Sequence, residues 1–240
     1  MVQDDERERE LVRLFNLDWD PAHQRAGVDA VLRTVVDGVE HQLEVEVKST
    51  TGDTVSTARD VSMEHIRKWR RKLFVIGFYS KDARRPELQR SLCLTPTDMA
   101  SWIDTVEAKV VVDHRIAQFA SAGLSTADLA AVCGQKAVYT LDDARSVLRQ
   151  QWTSAQYQLR ADSALPDGTP ALSPAAMLMV LRARALYIAE RGATLNNPHI
   201  TKKHLSAFAG TDREVRSDWA SRIRSIAGGW LAGSRAASQG

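Results

Sequence analysis

An Asp-Gly pair between two runs of β-forming residues is the feature that most constrains the fold of this chain. Asp37 and Gly38 separate a run that begins at Gly27 from a second run that ends at Lys48. The pair is typical of a two-residue type I′ turn, because both of its residues must adopt a positive φ. The sequence therefore predicts an antiparallel hairpin over residues 27–48.

This turn also fixes the register of the hairpin. If the Asp-Gly pair forms the loop, Val36 faces Val39, and the same register places Asp29 directly opposite Glu46. Opposed residues on one face have Cβ atoms about 4.5–5.5 Å apart, so the two carboxylates repel each other. The arrangement makes sense if a cation lies between them, and hard carboxylate ligands suit Mg²⁺.

A lysine follows on the same face of the second strand. Side chains alternate along a strand, so Glu44, Glu46 and Lys48 share one face. The Lys48 ammonium lies one pleat beyond Glu46, where it can orient or help to deprotonate a metal-bound water. The pattern predicts two carboxylates for the metal and one lysine for the nucleophile. The alternative is a surface hairpin whose charged face is merely solvated.

The segments Gly-Val-Asp at 27–29 and Glu-Val-Lys-Ser at 46–49 resemble the motif of the PD-(D/E)xK nuclease superfamily, which has the fold of most type II restriction endonucleases. The family pattern is an acidic residue on one strand and Glu-x-Lys on the next. Val28 stands where the family motif has proline, a residue that many members also lack. The resemblance implies a Mg²⁺ site and a catalytic lysine: the metal ligands are Asp29, Glu46 and the Val47 carbonyl, and the catalytic residues are Asp29, Glu46 and Lys48.

Two further glutamates are candidate accessory acids. Glu10 lies on a predicted first helix, from which some members of the family contribute a glutamate to the metal site. Glu44 precedes Glu46 on the same face of the strand. The alternative for each is a solvated surface charge.

The segments around the hairpin fit a mixed α/β core. A helix is predicted over 4–16, and a strongly basic helix over 60–72. The continuous apolar run at 73–79 predicts a strand that is covered on both faces, and a shorter strand follows at 91–95. We therefore predict an α/β fold with a restriction-endonuclease-like mixed sheet flanked by helices, formed by residues 1–112.

From residue 113 onward the sequence predicts only helices. Capping-box-like starts such as Ser125-x-x-Asp128, and the Ser173-Pro174 pair, mark where helices begin. We assign residues 113–240 to a helical DNA-recognition domain.

The net charge of +2 is unevenly distributed along the chain. Residues 61–95 and 145–240 carry net charges of +6 and +7, whereas residues 1–60 carry −7. Basic blocks beside an acidic site fit a protein that binds phosphates at its edges and a metal in the middle, although solvated helix faces explain part of the pattern. The candidate DNA contacts are hydroxyl, basic and amide side chains: Ser49, Thr50, Arg67, Lys68, Arg71, Asn197, Lys202, Lys203 and His204.

Composition indicates a cytoplasmic protein. A hydrophobic content of 44% supports a core, and the two cysteines, Cys93 and Cys133, lack metal-type spacing. No apolar run reaches the ~20 residues that span a bilayer, and the acidic start does not resemble a signal peptide. We expect reduced thiols and no membrane association.

These patterns predict a Mg²⁺-dependent, site-specific type II restriction endonuclease that hydrolyses phosphodiester bonds in double-stranded DNA. The resemblance implies a homodimer with one site for each strand of a palindromic target. The C-terminal helices would recognise either a sequence or a modified base. Two alternatives stay open: a repair or recombination nuclease such as a junction resolvase, and a non-catalytic helical DNA-binding regulator.

Overall fold

The computed structural model describes residues 3–19, 29–81, 86–149 and 151–237. The chain forms two compact units. The first unit comprises Met1–Ala108 and Leu195–Gly240, and the second comprises Lys109–Thr194. The structure therefore divides the chain after Ala108 and before Leu195, whereas the predicted boundary was 112/113. Residues 195–240 belong to the first unit.

The helices and strands up to the first boundary cover the predicted nuclease core. In chain order they are α1 (Gln3–Leu14), β1 (Ala30–Val36), β2 (Val39–Thr50), β3 (Val55–Ser56), α2 (Met63–Trp69), β4 (Leu73–Tyr79), β5 (Leu88–Leu94) and α3 (Pro96–Ala122).

The remaining elements are shorter on average. They are α4 (Thr126–Cys133), β6 (Tyr139–Thr140), α5 (Leu141–Leu148), α6 (Ser154–Gln158), β7 (Ser163–Ala164), β8 (Pro170–Leu172), α7 (Pro174–Gly192), β9 (His199–Ile200), α8 (Lys202–Ser206), β10 (Glu214–Val215) and α9 (Trp219–Ala237).

The predicted hairpin is present as β1 and β2. Val36 pairs with Val39, and the antiparallel register continues without a slip to Ala30 opposite Val45. The predicted register is thereby confirmed up to the pair next to Asp29.

The turn of the hairpin has the predicted backbone. Asp37 and Gly38 have φ angles of 52° and 77°, as a type I′ turn requires. The two residues before Asp29 in the predicted motif, Gly27 and Val28, lie outside the described residues.

The hairpin belongs to a five-stranded mixed sheet in the order β1-β2-β4-β5-β10. β2 and β4 are parallel, whereas the other neighbouring strands are antiparallel. All seven residues of β4 are buried, as the apolar run predicted. The predicted α/β fold with a mixed sheet flanked by helices and a C-terminal helical part is confirmed.

One face of this sheet carries α1 and α9. Leu11 and Ile223 from these helices belong to one buried cluster with Val47 and Val75 from the central strands. Gly77 on β4 permits the close approach of α1, because a Cβ atom there would lie 2.9 Å from both δ-carbons of Leu11. A larger residue at this position would therefore have to displace the buried Leu11 side chain.

The last part of the chain completes the first unit. β9 pairs with β3, and β10 pairs with β5 at the edge of the sheet. Val61 and Leu195 exchange two backbone hydrogen bonds of 2.9 Å. These pairings explain why residues 195–240 pack with the predicted nuclease core, which the sequence analysis did not predict.

The second unit is mainly helical, as predicted, and also contains short strands that were not predicted. β6, β8 and β7 form a three-stranded antiparallel sheet. Tyr139, Tyr157 and Met177 lie at the centre of its core. Ser125 caps α4 and Ser173 caps α7, as expected from the sequence.

In the part of the chain that the structure describes, no single helix has the length and apolar character needed to cross a lipid bilayer.

We expect Gly77→Ala to lower the free energy of unfolding by about 1–3 kcal/mol, because the new methyl group overpacks the contact with buried Leu11. Urea denaturation measures this change. Gly229→Ala in α9 is the matched control, since no described atom lies within 4 Å of the position that its new methyl group would take, and it should leave stability unchanged or raise it. Equal stability of the two variants would contradict the close packing of α1 on β4.

Candidate active site

Asp29 lies against β2 at the start of the hairpin. The backbone N–H of Val47 donates a hydrogen bond of 3.1 Å to Asp29 Oδ2, and Lys48 Nζ donates to the same oxygen at 3.1 Å. The backbone contact holds the aspartate beside the second strand. The hairpin thus brings together two of the predicted catalytic residues that lie 19 positions apart.

Lys48 is the centre of the site. Its ammonium lies 3.1 Å from Glu46 Oε1 and 3.0 Å from the Val47 carbonyl oxygen, in addition to Asp29. All three predicted metal ligands therefore direct an oxygen at one cation within 3.0–3.1 Å. The register already puts Asp29 on the face of Glu46, whereas the approach of the Val47 carbonyl does not follow from alternation, because side chains and not backbone carbonyls alternate between the faces.

A second lysine contacts the other oxygen of Glu46. Lys72 Nζ donates a hydrogen bond of 2.9 Å to Glu46 Oε2. The exposed fractions of the Lys72 and Glu46 side chains are only 5% and 8%. The sequence analysis placed Lys72 at the end of a basic helix, but α2 ends at Trp69, and Lys72 directly precedes the buried strand β4.

The position of Lys72 before an entirely apolar strand is the signal that could have revealed it. A charged residue directly before such a strand lies beside the neighbouring parallel strand. If this residue is buried, it needs a counter-charge. Here the neighbour is β2, whose Glu46 pairs with Phe74 across the parallel register.

The charges of these side chains reinforce one another. Burial raises the pKa of Glu46, but the nearby ammonium groups of Lys48 and Lys72 outweigh this effect and hold the pKa below its ordinary value. Burial lowers the pKa of Lys48, but the carboxylates of Glu46, Asp29 and Glu8 outweigh it and raise the pKa above its ordinary value. At neutral pH Glu46 is therefore an anion and Lys48 a cation.

The glutamate of α1 that lies nearest to the site is Glu8 rather than Glu10. Glu8 Oε1 lies 4.0 Å from Lys48 Nζ. Glu10 instead accepts a hydrogen bond of 2.9 Å from the Tyr79 hydroxyl. Residues two positions apart on a helix point in different directions, so the rotation of α1 decides which glutamate faces Lys48. The other candidate acid, Glu44, is exposed on β2.

The two predicted hydroxyl contacts at the end of β2 differ in their hydrogen bonds. Within the described residues, the Ser49 hydroxyl is buried and has no hydrogen-bond partner. The Thr50 hydroxyl donates to the Thr54 carbonyl at 2.8 Å and accepts from the Gly52 N–H at 3.0 Å. The Thr50 hydroxyl thus shapes the loop between β2 and β3.

The predicted basic contacts on and after α2 are on the surface. Arg67, Lys68 and Arg71 are all exposed. Lys68 forms an ion pair of 2.8 Å with Glu64, one turn earlier on α2. None of these three cations is buried, so each of them is accessible to a phosphate.

The C-terminal candidates differ in exposure. Asn197, Lys202 and Lys203 are exposed, whereas His204 is half-buried. The His204 ring packs edge-on against Phe208, and its Nε2 is buried without a hydrogen-bond partner among the residues that the structure describes. Burial, which outweighs the attraction of Asp98, lowers the pKa of His204. His204 is therefore a neutral packing residue at neutral pH.

The donor set fits the Mg²⁺ that the motif implies. Among the described residues, no three His, Cys, Asp or Glu side chains are grouped to hold a metal. Mg²⁺ does not need such a group, because it is commonly held by one or two carboxylates and retains several waters. Asp29, Glu46 and the Val47 carbonyl provide two carboxylates and one further oxygen, and all three direct an oxygen at the Lys48 ammonium.

Comparison with protein-family models gives no match, and none of the curated proteins matches the chain.

We expect Glu46→Gln to lower the free energy of unfolding by about 3–5 kcal/mol, because it leaves the Lys72 ammonium buried without a counter-charge. Lys72→Met should also destabilise the protein, whereas the double variant should recover much of the loss. Chemical denaturation of the four proteins gives the coupling free energy. Strictly additive effects would show that Glu46 and Lys72 do not form the buried pair.

The same pair predicts a pH dependence. The folded pKa of Glu46 is lowered, so its stabilising contribution is fully present above the ordinary value of 4.5 and is lost as the pH falls through the lowered pKa. The free energy of unfolding of the wild type should therefore fall more steeply below pH 4.5 than that of Glu46→Gln/Lys72→Met. Parallel pH profiles of the two proteins would contradict this assignment.

Proposed function

We propose that this protein is a Mg²⁺-dependent endonuclease that hydrolyses phosphodiester bonds in double-stranded DNA, in the manner of type II restriction enzymes. The observation that carries the proposal is the convergence of Asp29, Glu46 and the Val47 carbonyl on the Lys48 ammonium. These residues lie on a hairpin followed by a parallel central strand, which is the arrangement that the PD-(D/E)xK resemblance implies.

Each residue has a distinct part in the proposed chemistry. Asp29, Glu46 and the Val47 carbonyl would hold Mg²⁺, which when bound polarises the phosphate and lowers the pKa of a coordinated water. Lys72 holds one oxygen of Glu46 by a buried hydrogen bond and leaves the other directed into the site. Glu8 adds a further carboxylate near Lys48.

We assign Lys48 an electrostatic role. Its carboxylate neighbours raise its pKa above the ordinary value, so Lys48 is an ammonium before Mg²⁺ and substrate bind. A fixed ammonium stabilises negative charge that develops on the phosphate and helps to position the attacking water. This role is electrostatic, and it requires no proton transfer to Lys48.

Specificity and assembly belong to the same proposal. A twofold homodimer would present one such site to each strand of a palindromic target. The target would be defined either by its sequence or by a modified base, and the two possibilities are separated by the choice of substrate.

The decisive experiment compares cleavage of unmethylated and cytosine-methylated plasmid DNA in the presence of Mg²⁺. We expect discrete fragments from the wild type on one of these substrates, and a loss of rate of roughly 10²–10³-fold in Lys48→Ala, as for other fixed charges at reacting oxygens. Lys136→Ala is the matched control, because Lys136 is an exposed lysine paired with Asp143 in the second unit.

The outcome that would overturn the proposal is the absence of cleavage by the folded wild type on both substrates. If that protein still bound duplex DNA, a non-catalytic DNA-binding role would replace the nuclease.

A further inference from the structure

Two segments that are far apart in the sequence form one exposed polar surface in the first unit. We call this surface the polar ribbon and define it as residues 55–57 and 196–203. Its two strands, β3 and β9, pair antiparallel with Val55 opposite Ile200 and Ser56 opposite His199. The ribbon therefore joins the loop that follows the lysine strand to the amide- and lysine-rich stretch near the C-terminus.

The polar ribbon is firmly anchored on its inner side. Val55 and Ile200 are fully buried. The Trp102 indole N–H donates to the His199 carbonyl at 3.0 Å, and the Thr57 hydroxyl donates to the Pro198 carbonyl at 2.6 Å. Side chains on the outer side are thus presented on a fixed backbone, which favours specific contacts over adaptable ones.

The outer side of the ribbon carries groups that can read and hold DNA. Amide side chains can form paired hydrogen bonds to base edges in the major groove, and lysines neutralise phosphates. The exposed amide and lysine side chains of the ribbon are Asn196, Asn197, Lys202 and Lys203. The exposed Ser56 and His199 side chains lie between them within hydrogen-bond distance of each other, at 3.3 Å.

Basic residues surround the ribbon near Lys202. Lys202 forms an ion pair of 2.9 Å with Asp53, and both side chains are 68% exposed. The hydrogen bond from Lys202 is the main cause of the lowered pKa of Asp53, and the charges of Lys81 and Arg90 add to it. Three cations therefore act on this carboxylate, and one of them, Arg90, also forms an ion pair of 3.7 Å with Glu214. Three positive charges against two negative ones leave a net positive charge, which suits a phosphate backbone.

The ribbon also lies close to the candidate active site along the chain. Thr50 is two residues after Lys48 on β2, a distance of about 7 Å at the rise of a strand. The Thr50 hydroxyl bonds to the Thr54 carbonyl, which brings the start of β3 back to the end of β2. The major groove of DNA is about 12 Å wide. A surface about 7 Å from Lys48 therefore lies within reach of the base edges when Lys48 faces a phosphate at the border of the groove.

We infer that the polar ribbon enters the major groove beside the cleaved phosphate, and that the catalytic unit itself reads the DNA sequence. This inference rests on the proposed function and changes one part of it, because the sequence analysis gave recognition to a separate helical domain. Here the reading side chains and Lys48 belong to the same compact unit.

The test is selection of DNA by binding, with Ca²⁺ replacing Mg²⁺, from a pool of duplexes with a randomised centre of about 12 base pairs, roughly one turn of the double helix. The pool is prepared in the methylation state of the plasmid that the wild type cuts. Asn197→Gly is the main variant. Asn197 has a φ of 43°, so glycine removes the amide without straining the backbone. Asn16→Gly is the matched control, because Asn16 is also exposed in the first unit with a φ of 49°.

We expect the wild type to enrich a defined motif. Asn197→Gly should bind that motif about 5–100-fold more weakly and lose preference at one or two of its positions, while its affinity for unrelated duplexes stays the same. Lys203→Ala should weaken binding to all duplexes alike and reduce the salt dependence by about one phosphate contact. Asn16→Gly should behave like the wild type.

The inference is overturned if Asn197→Gly and Asn196→Ala enrich the wild-type motif with wild-type affinity, or if the wild type binds duplexes without any preference. Either result leaves the proposed nuclease intact, provided that the plasmid is cut. A wild type that neither binds the pool nor cuts the plasmid would instead overturn the proposed function and the inference together.

Discussion

The buried contact between Glu46 and Lys72 is the interaction on which the rest of the site depends. A carboxylate that is 8% exposed is unstable in the core unless cations compensate for its lost hydration. Lys72 and Lys48 supply that compensation from opposite oxygens. Since Glu46 lies on β2 and Lys72 directly precedes β4, the same contact also ties the two parallel strands at the centre of the sheet. The geometry of the candidate site and the pairing of these two strands therefore have a common physical origin.

With this arrangement, the proposed active site would act by electrostatic stabilisation. Oxygen atoms of Asp29, Glu46 and Val47 surround the Lys48 ammonium before any substrate is bound, so the charges of the proposed site are held in place in advance. The carboxylates of the proposed metal site also raise the pKa of Lys48. Fixed charges at fixed positions, rather than a titrating base, would then perform the chemistry.

The sequence predicted those features that depend on local chemistry. The Asp-Gly pair determined the register of the hairpin, and with it the proximity of Asp29 to Lys48. The apolar run determined β4. Lys72 and Glu8 were missed because their roles depend on where α2 ends and how α1 is rotated, and helical periodicity does not fix either property. The pairing of β9 with β3 was missed because two-residue strands have no detectable alternation.

The return of residues 195–240 to the first unit has a consequence for the order in which the protein is made. β5 obtains its outer partner only when β10 is synthesised, after the whole second unit has been synthesised. Until then the growing chain exposes an unpaired sheet edge, which is a common starting point for aggregation. Asp29, Glu46 and Lys48 are synthesised early, but the ribbon beside them is assembled late. Under the proposed function, a nascent chain would therefore carry the residues that cut DNA before it carries the surface that selects the cleavage site.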